Sequence, residues 1–72
     1  MVSSPLADSR VALALRDSPI PALRKLTIDE SDDAIVIRGL VSSYYLKQMA
    51  QEALMPYLDG RTLLNRVAVV RD

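Results

Sequence analysis

The stretch Ala34–Gly60, AIVIRGLVSSYYLKQMAQEALMPYLDG, restricts the fold more than any other part of the chain. It opens as a strand. Ile35, Ile37 and Val41 share one face with Gly39, and Val36, Arg38 and Leu40 share the other, so both faces are largely apolar. Ser42 or Ser43 then offers a side-chain oxygen to the free amides at the start of a helix. Beyond it, Leu46, Met49, Ala50, Ala53, Leu54 and Tyr57 fall in one sector of the helical wheel, with Lys47, Gln48, Gln51 and Glu52 outside it. Pro56 conflicts with a continuous helix, because an interior proline costs about 3 kcal/mol. Either a kink, or an end to regular helix near Met55 with one further turn, is therefore expected before Asp59-Gly60 closes the segment. Gly39 forfeits strand propensity, which predicts close approach of a helix backbone or a local bulge.

The remaining segments read as cover for this unit. Ser4-Pro5 is the expected start of a first helix, with serine as cap and proline at the first position. Asp8 lies in its first turn, where the helix dipole favours negative charge. Ala7, Val11, Ala14 and Leu15 form its apolar face, and Ser18-Pro19 ends it. Pro19-Ile20-Pro21 reads as a stiff connector. Leu26 and Ile28 alternate with Lys25, Thr27 and Asp29, the period of a half-buried strand. Asp29-Glu30-Ser31-Asp32-Asp33 is a turn; its acids lack the glycine and the distant glutamate of a calcium loop, so it reads as a solvated hairpin tip. The last strand is Leu63–Val70, with Leu63, Asn65, Val67 and Val69 on one face.

The order is therefore α-β-β-α-β. A short turn makes the first two strands an antiparallel hairpin, and the helical connection makes the second and third parallel, with a right-handed crossover. The expected architecture is an α+β two-layer sandwich: two helices on one face of a three-stranded mixed sheet, with Ala34–Val41 at its centre. Residues 1–72 form one domain, with a core over about residues 5–70.

Composition removes several function classes. At 72 residues, with half of them hydrophobic, the chain suits a small globular domain. There is no cysteine and no histidine, so disulfides, thiolate metal sites and the commonest general base are excluded. The serines have no base to activate them and sit in no G-x-S-x-G or S-x-x-K pattern, so the chain is read as a non-enzyme with no metal and no cofactor. Nine basic and nine acidic residues balance. Nucleic acid is not an expected partner, because phosphate binding calls for a basic excess and no G-x-x-G loop is present. No signal peptide or bilayer-length apolar run is visible, which implies a cytoplasmic location if Met1 is the natural start.

The apolar strand with Ile35, Ile37, Gly39 and Val41 is followed by Ser43, by a helix carrying Ala50 and Ala53, by Gly60, and by a strand with Leu63, Asn65, Val67 and Val69. This succession resembles the BON domain, named for bacterial osmotically induced and nodulation proteins, and the resemblance covers roughly residues 6–70. The sequence departs from the family in having Asp32-Asp33 where an acid and a glycine are common, in a gap one residue short between Gly60 and Asn65, and in Pro56 within the helix. The resemblance implies a non-catalytic module that associates with phospholipid membranes or an envelope protein, in the bacterial envelope or periplasm.

The residues offer three candidate sites. Tyr44 and Met55 lie on the otherwise polar side of the second helix, beside Gln48, and fit a contact with lipid or a partner; Tyr45 falls at the edge of the buried sector and is expected in the core. The outer sheet face carries Val36, Leu40, Leu64, Ala68 and Val70, a possible surface for a homo-oligomer or another protein, interrupted by Arg38, Arg66 and Thr27. Arg10, Arg16, Arg24 and Lys25 form a possible basic group for lipid phosphates, against their reading as solvated charges. Gly39, Gly60 and Asn65 are read as structural, with the Asn65 amide bonded to backbone near the Gly60 turn.

Overall fold

The computed structural model describes residues 9–70. In chain order these form α1 (Arg10–Arg16), α2 (Pro21–Arg24), β1 (Thr27–Glu30), β2 (Ala34–Val41), α3 (Tyr44–Leu54), a 3-10 turn (Met55–Tyr57) and β3 (Thr62–Val69). The sheet order is β1-β2-β3. β1 runs antiparallel to β2, with Ile28 opposite Ile37, and β2 runs parallel to β3, with Val36 beside Leu64 and Val41 beside Val69. The α+β architecture and the central position of β2 are those expected from the sequence.

The residues between the two expected helices contain an element the periodicity did not disclose. Pro21 begins α2, a single turn that buries Leu23. Proline suits a first helical position because its fixed φ is already helical and its missing N–H costs nothing there. The turn is tied back to the end of α1: Ser18 Oγ accepts from the Ile20 N–H at 3.1 Å and Arg24 donates to the Ser18 carbonyl at 2.8 Å. One turn is too short to show a helical period. At the other end of α1, the expected cap Ser4, Pro5 and Asp8 lie outside the described residues. Within them the helix starts at Arg10, and Ser9 is its cap, accepting from the Ala12 N–H at 3.1 Å.

α3 begins and ends as its residues dictate. Ser43 Oγ accepts from the Leu46 N–H at 3.2 Å. Pro56 has no N–H to donate, and the helix passes into the 3-10 turn at Met55. Asp59 and Gly60 follow with φ of 52° and 83°, a left-handed pair that reverses the chain into β3.

One dry layer lies between the sheet and the helices. Val11 and Leu15 of α1, Leu23, Leu26, Ile35, Ile37, Val41, Ala50, Leu54 and Val67 are buried in it. Gly39 is also on this inner side, but its neighbour differs from the expectation. A Cβ at Gly39 would overlap Cδ2 of Leu26, so it is the residue leading into β1 that comes close, rather than a helix backbone. There is no bulge, since the β2–β3 register is unbroken from Ala34 to Val41.

Gly39 has φ of +144°, and Gly60, with φ of +83°, has open space where a Cβ would sit. Gly60→Ala therefore meets only the conformational penalty, about 1 kcal/mol. Gly39→Ala adds displacement of a buried leucine to a backbone angle that L-residues rarely adopt, and should cost about 2–4 kcal/mol. Urea unfolding of the two variants checks the ranking; equal losses would contradict the account of Gly39.

Candidate functional site

The two ends of the sheet differ in charge. At the hairpin end, the turn is Ser31–Asp33, shorter than the expected Asp29–Asp33 because Asp29 and Glu30 pair with Val36 and Ile35 in the ladder. It meets the start of β3, where the Thr62 N–H bonds the Asp33 carbonyl at 3.0 Å. Arg61 organises this end. Its guanidinium donates to the Leu58 carbonyl at 2.8 Å and the Tyr57 carbonyl at 3.1 Å, and pairs with Glu30. The two carbonyls lie where the 3-10 turn ends, and that of Leu58 also accepts the Arg61 main-chain N–H at 3.0 Å. Glu30 accepts a second bond from Ser9 Oγ at 2.7 Å, so one carboxylate links the cap of α1, the end of β1 and the entry to β3. The Arg61 hydrogen bond, then that of Ser9, holds the Glu30 carboxyl below its ordinary value of 4.5 against the opposing effect of burial. No local sequence signal joins positions 9, 30 and 61, and this cluster was not foreseen.

The opposite end is apolar and aromatic. β2 ends at Val41, and two serines later α3 begins with Tyr44 and Tyr45. Leu40 is 68% exposed, Tyr44 65%, Tyr45 68% and Val70 51%. Val70 belongs to the same end because its N–H bonds the Val41 carbonyl at 2.8 Å. The exposure of Tyr45 corrects its assignment to the core: the first turn of α3 lies just past the end of β2, and a helical wheel does not record where the surface beneath it stops. Two lysines belong to the segments that lead into or out of this end. Lys25 precedes Leu26, which touches Gly39, and Lys47 sits in the first turn of α3. Arg16 and Arg24 border one pocket with Leu26 and Thr27. Arg10 does not join them; it borders a groove between α1 and α3 with Leu13, Ala14, Asp17, Ala53 and Tyr57.

Tyr44, Gln48 and Met55 lie along one side of α3 and the turn that follows it. Tyr44 and Met55 lie at opposite ends of α3, about 16 Å apart at the helical rise, with half-buried Gln48 between them. Met55 is exposed, but at the end away from the tyrosines.

On the outer face, the register sets Thr27, Arg38 and Arg66 side by side. This polar belt divides the apolar residues into Val36 with Leu64, and Leu40 with Ala68 and Val70. Arg38 is paired with Asp29, itself on this face, and both side chains are more than half exposed. The strip is therefore two small patches.

Asn65 is structural, with a partner other than the Gly60 turn. Its Nδ2 donates to the Lys47 carbonyl of α3 at 3.0 Å and lies 3.4 Å from Gln51 Oε1, while its Oδ1 accepts the Val67 N–H at 3.2 Å. An amide facing a helix can reach its main chain, which sequence spacing alone does not show.

Among the described residues, no cluster of three His, Cys, Asp or Glu side chains is placed to hold a metal ion, and no helix is long and apolar enough to cross a membrane. No protein-family model matches the chain, and no curated protein or solved structure matches it.

The Glu30 cluster sets an acid limit. A carboxylate held low in the folded state contributes stability that is fully present above about pH 4.5 and is lost as pH falls through its lower folded value. Thermal melting should be level from neutral pH to about 5 and then decline. Glu30→Gln should lower the melting temperature at neutral pH and flatten part of the decline; an unchanged acid slope would contradict a role for Glu30.

Proposed function

We propose that the domain is a non-catalytic, BON-like binding module whose Leu40–Tyr44–Tyr45–Val70 end rests on an anionic phospholipid surface. The observation that carries this reading is that four of the six large exposed apolar side chains belong to the segments where β2 and β3 end and α3 begins; Lys25 and Lys47 belong to neighbouring segments. Tyrosine suits a membrane interface because its ring is apolar and its hydroxyl stays hydrated. Lysines near an anionic surface contribute about 1 kcal/mol each, within a Debye length. The acids of the hairpin turn lie at the far end of the sheet, away from this apolar end. The resemblance to a family associated with phospholipid membranes supports the same reading and favours an envelope setting. The outer sheet face gives less support to a dimerisation module, because the arginine belt divides it.

Sedimentation with vesicles of anionic and zwitterionic composition tests the proposal. Binding to the anionic vesicles should be measurable at low ionic strength and should fall with added salt. Removing a ring that buries about 50 Å² of apolar surface costs about 1 kcal/mol, so Tyr44→Ala and Tyr45→Ala should each weaken partition about fivefold. Met55→Ala, at the other end of α3, should leave it unchanged. No binding at low salt, or equal effects of all three substitutions, would refute this docking mode.

A further inference from the structure

Among the described residues, β3 has a neighbouring strand on one side only. Thr62 and Val70 donate their N–H groups to the Asp33 and Val41 carbonyls beside β2, at 3.0 and 2.8 Å, which fixes the phase of the ladder. Backbone groups alternate sides along a strand. Thr62, Leu64, Arg66, Ala68 and Val70 therefore face β2, and Leu63, Asn65, Val67 and Val69 turn N–H and C=O toward the open edge. An uncovered edge of eight residues is a template for another strand. The β3 strand of a second copy fits it by symmetry, since two β3 strands paired antiparallel form an isologous contact that closes.

Two side chains oppose that pairing. Asn65 Oδ1 already occupies the Val67 N–H at 3.2 Å, and its Nδ2 is anchored on the Lys47 carbonyl at 3.0 Å. The amide is thus fixed from the helix side across the middle of the edge. Arg66 supplies the second obstacle. Two registers use seven of the eight residues of β3. The one centred on Asn65 sets Arg66 opposite Leu64 but pairs Leu63 with Val67 and so needs the Val67 N–H. The one centred on residue 66 sets Asn65 opposite Val67 of the copy, Leu64 opposite Ala68, and Arg66 opposite Arg66. Like charges directly opposite destabilise a strand pair, and this register also needs the Val67 N–H that Asn65 holds. Moving the centre to Val67 separates the arginines but sets Val67 opposite itself, and needs the same N–H from both chains.

We propose that Asn65 and Arg66 form a two-part guard that keeps β3 from pairing with β3 of a second copy, and that this edge becomes the strand-pairing surface of the domain when the guard is removed. Sedimentation equilibrium and amide hydrogen exchange on the full chain test it, using the unaltered protein, Arg66→Thr, Asn65→Val and the double variant. The unaltered protein should show no association through this edge from micromolar to millimolar concentration. The double variant should dimerise, with exchange at Leu63, Val67 and Val69 slowed about tenfold or more at dimeric concentrations. A folded double variant that stays monomeric would overturn the proposal. So would a dimer whose edge amides exchange at the monomer's rate, or an unaltered protein already paired along β3. If Asn65→Val unfolds the domain, Asn65→Ala together with Arg66→Thr takes its place, Arg66 being exposed. It should dimerise with the same amides slowed, and its remaining a folded monomer would overturn the guard.

Discussion

Ile35 and Ile37 have no exposure to solvent, and keeping them so is the constraint to which the rest of the domain conforms. Each contributes about 1.5–3 kcal/mol by burial, in a domain of this size whose net stability is about 4–10 kcal/mol. Neither can be left wet. β1 and β3 satisfy the backbone of their strand on both sides, and the helices cover only the face to which these side chains point. The close contact between Leu26 and Gly39 belongs to the same constraint: a side chain at position 39 would compete with Leu26 for the inner layer.

Covering one face leaves the other exposed, and the surface properties follow from that asymmetry. The outer face is kept wet by the Thr27–Arg38–Arg66 belt, which the register aligns across all three strands. The edge of β3 is interrupted by Asn65, which also joins that strand to α3. The acids gather where the hairpin turn meets Arg61, while exposed Tyr44 and Tyr45 occupy the end where β2 gives way to α3.

The elements that the sequence disclosed are those governed by neighbours in the chain. Alternation in Ala34–Val41 and Leu63–Val70, the Ser43 cap, the break at Pro56 and the reversal at Gly60 all depend on residues a few positions apart. The features that escaped it join distant positions or end a pattern early. The partner of Gly39 is Leu26, that of Asn65 is the Lys47 carbonyl, and Glu30 binds both Ser9 and Arg61. The single turn of α2 is shorter than the period that would reveal it. For the candidate surface, the wheel discloses the exposure of Tyr44 and Met55, but that of Tyr45 depends on where the sheet stops beneath the first turn of α3.

The central claim is that the helices dry one face of the sheet and leave the other in water. Methyl-resolved NMR with a soluble paramagnetic relaxation agent tests this most directly. The account predicts little broadening at the methyls of Ile35, Ile37 and Leu54, and strong broadening at those of Leu40, Leu64 and Val70. Broadening of Ile37 as strong as that of Leu40 would contradict it.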